Sequence, residues 1–497
     1  MHLLKITEIK EILWSKNVRL IIVSIFLAEI LSFISFYSSN LRFIIFPLIL
    51  ISFLIICFYK LELGVYIVLI ELFIGSMGQM FYWNYFGINL SIRLLIWFIL
   101  LLVWFIKVLK NDYKAKILKS EYLIFLIPLF IFVVWGILKG FINNNGLANI
   151  FFDFNAWLYF ALIFPFYDVI LKRNNSFKTF FQIIITSSLW LSIKTFIVLF
   201  IFTHNLEKTM GIIYRWIRDT RIGEITQMPD TFTRVFFQSH IFILVTFFIL
   251  FVFLNKAINK KDKKLILNVL ALMVLVFAVI IISFSRSFWV GCFLGFLFFI
   301  FLIYINYGFK KAVINSGLMA GIMIFSLVLI TVVVKIPIGG DSAQFNTTST
   351  LKNRAKNVKN EAAVSSRWNL LPKLWDKIEK NPIMGGGFGA TVTYQSNDPR
   401  VLETNPDGQY TTYAFEWGWL DIWLKLGFLG FLFYIAIILK LIMLSLNKKS
   451  IRKTPMISSL IIGVFIITII NFFTPYLNHP LGIGYLIFSI ALIDKLK

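Results

Sequence analysis

Long apolar runs alternate with short polar breaks along almost the whole chain. The runs lie near residues 18–36, 43–59, 63–82, 90–106, 121–138, 154–171, 177–202, 235–254, 265–282, 287–305, 313–334, 417–442, 456–473 and 479–494. A helix of about 20 apolar residues crosses some 30 Å of hydrocarbon. The pattern therefore predicts about 12–14 spans, the last of them short enough to be half-inserted. The fold class expected is all-α, a polytopic transmembrane helical bundle. Residues 1–334 form its main part, 335–416 a large extracytoplasmic loop, and 417–497 the C-terminal transmembrane helices. The stretch MHLLKITEIKEILWSKNVR precedes the first span with no small-residue cleavage site after the apolar run, so that span is expected to be retained.

Within the long loop, Trp368, Leu371, Trp375 and Ile378 recur at helical spacing after Ser365 or Ser366, either of which can cap a helix. Asn381 and Pro382 end it, and the glycines 385, 386, 387 and 389 follow. This reads as an amphipathic helix lying on the outer face of the bundle, with Arg367 in its first turn. A connection of this length among otherwise brief loops points to function. No repeat of solenoid period is visible.

Charge sorts the polar breaks into two kinds. Lysines gather at Lys60, at 107–119, at Lys172 with Arg173, at 256–264, at Lys310 with Lys311 and at 448–453. With a basic N-terminus inside, all of these fall on cytoplasmic turns, as the positive-inside rule requires, and both termini are cytoplasmic. Arg215, Arg218, Arg221, Arg234, Arg286, Arg354, Arg367 and Arg400 fall on the opposite side, where that rule gives no reason for positive charge.

Composition agrees with the membrane reading. The 497 residues are 59% hydrophobic, with 56 Phe and a mean hydropathy of +0.84, which excludes a soluble domain. A net charge of +24 in a soluble protein would suggest nucleic acid. Here most of it orients helices and meets anionic membrane lipid, and no nucleic-acid partner is expected. Cys57 and Cys292 lie inside apolar spans, so neither a disulfide framework nor a metal site is implied.

Three arginines reach the outward side from separate segments: Arg234 in TFTRVFFQSH, one turn before Gln238 on the same helical face, Arg286 in the turn ISFSRSFWVG, and Arg367 from the loop helix. Any one of them can be a snorkelling side chain. Together they suit a pyrophosphate, because the planar guanidinium fork binds phosphate oxygens two at a time. Glu416 stands where the loop re-enters the membrane, with Asp421 and Lys425 in the next turns. It is either a favourable charge at a helix N-terminus or a general base for a sugar hydroxyl. Trp417, Trp419 and Trp423 form an interfacial belt or a sugar-stacking platform, and Tyr413 and Trp368 join Trp417 as candidate glycan contacts. His479 lies at the outer edge of the last span, as a structural residue or a phosphate ligand when protonated. Glu29, Glu71 and Lys194 fall inside apolar runs, as structural pairs or along a substrate path.

No phosphate-binding Gly-rich motif with a trailing Lys, no Asp-x-Asp pair outside the membrane, no metal-spaced cluster and no Gly-x-Ser-x-Gly elbow is present. The chemistry expected is metal-free, uses no nucleotide sugar and needs no cofactor.

SFSRSFWVG, SSRWNLLPKLWDKIEKNPIMGGGFG and EWGWLDIWLKLGFLG, with Arg234 ahead of them, resemble the bacterial O-antigen ligase and O-antigen polymerase family. The resemblance covers mainly residues 230–430. It implies a membrane glycosyltransferase of the bacterial cytoplasmic membrane, acting at the outer face on a polyprenyl-diphosphate-linked glycan donor, with a glycan or lipid acceptor. It leaves room for flippase and chain-length regulator partners. Counting back from Gly427, the position where ligases carry a histidine holds Glu416 here, which tilts the reading towards polymerase. In the implied mechanism Arg286, Arg234, Arg367 and His479 hold the pyrophosphate, Glu416 deprotonates the acceptor hydroxyl, and the anomeric centre inverts. The competing class is a lipid-linked oligosaccharide flippase, although transporters place their binding groups nearer the midplane.

Overall fold

The computed structural model describes residues 6–85, 88–172, 175–228, 232–336, 362–446 and 455–496. Arg354, Arg173, the side chain of Arg400 and the lysines at 448–453 lie outside what is described.

Each of the fourteen apolar runs carries a helix. In chain order the helices are α1 (Ile6–Trp14), α2 (Lys16–Tyr37), α3 (Ser39–Tyr59), α4 (Leu61–Ile74), α5 (Ile92–Leu109), α6 (Leu123–Ile142) and α7 (Leu147–Phe154). A 3-10 stretch, Asn155–Leu162, leads into α8 (Ile163–Lys172), followed by α9 (Ser176–Thr203), α10 (Glu207–Asp219), α11 (His240–Asn259) and α12 (Lys263–Ile282). Then come α13 (Arg286–Tyr307), α14 (Phe309–Lys335), α15 (Ala362–Glu379), α16 (Pro399–Thr404), α17 (Gly418–Leu446), α18 (Pro455–Ile470) and α19 (Pro480–Leu496).

Among the described residues eleven helical segments are long and apolar enough to cross a membrane. The three apolar runs below that length are α4, with 14 residues, α18, with 16, and α19, with 17. At a rise of about 1.5 Å per residue each falls short of a full crossing. Helix α4 stops early because Gly75 caps it, and Ser76 and Gly78 then take positive φ and turn the chain into a hairpin. Polar residues start several spans: the hydroxyls of Ser15, Ser38 and Ser91 and the carboxylate of Asp262 accept from backbone amides in the first turns of α2, α3, α5 and α12.

Helices α11 and α19 are buried along nearly their whole length. Phe247, Phe248, Phe251, Phe277 and Phe299 interlock there at ring separations of 5.0–6.4 Å. By contrast α2, α3, α6, α13 and α14 turn rows of Leu, Ile and Phe outward, as lipid-facing helices do.

The ends of the bundle differ in chemistry. At one end Lys10 pairs with Asp262 at 2.7 Å, Lys440 with Glu121 at 3.1 Å, and Ser120 and Tyr167 share Asp494. The opposite end carries three antiparallel hairpins: β1 (Tyr82–Tyr85) with β2 (Ile88–Ser91), β3 (Gly223–Gln227) with β4 (Thr233–Phe237), and β5 (Val392–Gln395) with β6 (Gln409–Thr412).

Two expectations are corrected. Arg234 sits on strand β4, opposite Thr226, and not on a helical face with Gln238, because the span begins only at His240. In α15 the buried residues are Ser366, Leu370, Leu374 and Ile378, while Trp368 and Trp375 are exposed. The helix is turned by about one residue from the predicted face because Leu370, Leu374 and Ile378 pack with Ala390, Val392, Phe415 and Leu424. Ser365 and Ser366 lie within α15 and do not cap it, and the Ser366 hydroxyl accepts from the Asn397 amide at 2.8 Å.

Candidate functional site

The hairpin-bearing end of the bundle gathers the predicted site residues in two groups. In the first, Arg234 Nε donates to the Ser283 carbonyl at 2.9 Å, which fixes β4 against the α12–α13 turn. Arg286 is the first residue of α13, three positions further on. The Arg234 guanidinium lies 4.9 Å from the Phe236 ring, which in turn sits 5.5 Å from Phe288. Glu224 on β3 approaches Arg234 at 3.7 Å. Arg234 thus docks on the turn that leads into Arg286, although the two come from separate segments of the sequence.

In the second group Arg367 of α15 forms an ion pair with Glu416. The Trp417 indole donates to the Arg367 carbonyl at 3.0 Å, and its ring lies 5.8 Å from that of Trp368. The 471–479 turn joins the groups: Trp417 packs on Phe473 at 6.2 Å, and Thr474 donates to the Ser287 hydroxyl at 3.2 Å. The same turn presents Tyr476, whose hydroxyl donates to the carbonyl and side-chain oxygens of Gln238 at 3.0 and 3.2 Å.

His479 closes this turn at the start of α19. Burial pushes its imidazole down to about 4, with the Arg93 charge adding to the effect, so it is neutral near pH 7. Its Nδ1 is buried without a hydrogen-bond partner. A neutral imidazole can offer a hydrogen bond to phosphate but not the positive charge expected from the sequence. Tyr413 lies three residues before Glu416. Burial raises its phenol, and the nearby Asp153 carboxylate adds to the rise, which places Tyr413 beside a charge network the sequence did not reveal.

At the centre of that network the Lys425 ammonium, almost wholly buried, bridges Asp153 of α7 and Asp421 one turn earlier on α17, the latter at 2.5 Å. The second oxygen of Asp153 accepts from the Gly389 amide at 2.8 Å, and Asn478 donates to Asp421. The glycine run is thereby tied to the bundle: Gly386 N donates to the Leu424 carbonyl at 2.6 Å, and the amides of Asn143 and Asn145 donate to the Gly386 carbonyl at 2.9 and 3.1 Å.

Two further buried pairs lie in the first half of the chain. Lys194 meets both oxygens of Glu29 at 2.7 and 2.9 Å, beneath the Trp216 ring at 4.4 Å. Arg93 grips Glu71 with two bonds of 2.9 Å and donates to the Ser76 carbonyl at 2.6 Å. The three intramembrane charges singled out in the sequence are therefore all paired. Arg93 and Asp153 were missed, although each is a lone charge beside an apolar run, in SIRLLIW and FFDFNAW, and that isolation was the available signal.

Neither a curated protein nor a solved structure matches the chain. Residues 271–435, the stretch that contains Arg286, Arg367 and Glu416, match the family described as O-antigen ligase.

Proposed function

We propose that the protein polymerises polyprenyl-diphosphate-linked oligosaccharide repeat units at the outer face of the bacterial cytoplasmic membrane, as an inverting glycosyltransferase. The observation that carries this reading is the sharing of one bundle end by the Arg234 and Arg286 turn and the Arg367–Glu416 pair, joined through Trp417, Phe473 and Thr474. The lysine-rich opposite end supports the assignment of this end to the outside.

In the proposed reaction the donor diphosphate lies against Arg286 and Arg234, with the neutral His479 as a further hydrogen-bond donor. The acceptor hydroxyl gives its proton to Glu416, its oxygen forms the new bond to C1 of the donor sugar, and the bond from C1 to the phosphate oxygen breaks. The electron pair leaves with the lipid diphosphate. Negative charge grows on that leaving group, so prepositioned guanidinium groups stabilise the transition state more than the ground state. Arg367 holds the Glu416 carboxylate in place. Trp417, Trp368 and Tyr413 offer ring faces and a hydroxyl to the glycan. A carboxylate at 416 favours polymerase over ligase.

The test incubates purified full-length protein with lipid-linked repeat units. Lengthened glycan with release of lipid diphosphate is the expected result. Transfer of the intact lipid-linked unit across a vesicle membrane without lengthening would instead establish the flippase reading.

A further inference from the structure

Between α2, α3, α4 and α5 lies a cavity of about 560 Å³, within the range of about 300–1,000 Å³ usual for ligand sites. Its walls are almost entirely hydrocarbon, from Leu27, Leu31, Ile49, Phe53, Ile70 and Ile96 among others. The cavity is open at the side, where Leu27 and Leu48 on its rim are more than half exposed on a lipid-facing surface. The one ionisable group on the wall is Glu71, and Arg93 holds both of its oxygens. The pair is buried and electrically neutral, so the cavity suits a hydrocarbon chain and not a phosphate.

The outer end of this cavity adjoins the arginine site. Arg93 donates to the Ser76 carbonyl, and the Ser76 amide donates to the Ser239 hydroxyl at 3.0 Å. Ser239 follows Gln238, the residue that receives the Tyr476 hydroxyl, at the end of the strand that carries Arg234. His479, beside Tyr476, lies in the field of Arg93. The neutral, lipid-open slot is thus linked through Arg93, Ser76 and Ser239 to the end of the strand that carries Arg234. An ordinary annular lipid has no need of that arrangement, whereas an amphiphile with one long apolar chain and a multiply charged head matches it at both ends.

We infer that the slot between α2, α3, α4 and α5 holds the isoprenoid tail of the lipid diphosphate donor and so sets the register of its diphosphate at Arg234 and Arg286. This rests on the donor class proposed above. The Glu71–Arg93 pair acts as a neutral stop at the head end of the slot.

The experiment uses full-length protein in vesicles of phosphatidylethanolamine and phosphatidylglycerol, with a long-chain polyprenyl diphosphate carrying a diazirine in its isoprenoid chain. Labelled peptides are located by mass spectrometry. Labelling is expected on residues 24–31, 45–56, 67–74 and 92–96, competed by unlabelled polyprenyl diphosphate and not by added phosphatidylglycerol. Ala28→Trp and Ser52→Trp, at partly exposed wall positions, should each lower it at least about tenfold by displacing several buried methylenes, with unchanged thermal melting. Label spread over α13 and α14, equal competition by phospholipid, or indifference to both substitutions would overturn the inference. If labelling behaves as expected but no glycan is lengthened, the tail site stands and the polymerase reading falls. If both tryptophan variants lengthen glycan with an unaltered KM, the tail site falls and the polymerase reading stands.

Discussion

The Arg367 and Glu416 side chains are each more than a third exposed, and an ion pair so placed contributes only about 0–1 kcal/mol to stability. Glu416→Gln keeps the size and the hydrogen-bonding oxygen but removes the proton acceptor. It should leave melting almost unchanged while long-chain polysaccharide disappears from cells, and normal polymer in this variant would remove Glu416 from the mechanism. Arg286→Ala tests the leaving-group side. Loss of one donor to developing charge typically costs about 10²–10³ in kcat, and a loss of that size is expected here with the protein still in the membrane. His479 gives a prediction about pH. Its folded-state value of about 4 lies below the usual 6.5, so the unfolded chain takes up a proton more readily than the folded one. The contribution is present above pH 6.5 and is lost as pH falls towards 4. Melting temperature should decline across that window in the native protein and decline less in His479→Gln.

The glycine run after α15 is a structural joint whose chemistry is set by backbone contact. Gly387 has φ +81°, and a Cβ there would strike the Gly140 backbone of α6; Gly427, at φ +72°, breaks α17 where the Ile383 carbonyl approaches it. These two helices therefore meet the loop main chain to main chain, a distance only glycine allows. Gly387→Ala should cost about 1–2 kcal/mol from backbone conformation and a further 1–3 kcal/mol from the collision. The loss is measurable as lowered melting and as faster proteolysis of the 362–416 segment. The sequence made the glycines visible directly after the end of the loop helix. That they serve as contact surfaces for α6 and α17 was not visible, because the partners lie far away along the chain.

Across the whole molecule, the Asp153–Lys425–Asp421 network connects α7, the glycine turn, α17 and the 471–479 turn that carries Thr474 and His479. It thereby sets the 362–416 segment relative to the strand and the helix on which Arg234 and Arg286 stand. Breaking a buried charge pair costs about 3–5 kcal/mol, whereas replacing the whole group is much better tolerated. Lys425→Met should accordingly prevent accumulation of folded protein. The triple variant Asp153→Asn, Lys425→Met, Asp421→Asn should restore most of the protein, and detergent gel filtration of both variants provides the measurement.

Hydropathy alone determined the helical bundle, the positions of its spans and the division of charge between its ends, because the cost of exposing polar backbone in lipid leaves a long apolar run little choice but a helix. Local chemistry likewise marked Arg286, Arg367 and Glu416 as unusual. Only the tertiary structure decided that Glu416 answers to Arg367, that Glu29 belongs to Lys194 and Glu71 to Arg93, that Arg234 rides on a strand, and which face α15 buries. Pairing of charges and burial of faces are relations between segments far apart in the chain, 272 residues for Asp153 and Lys425. No property of either segment by itself specifies the partner it meets.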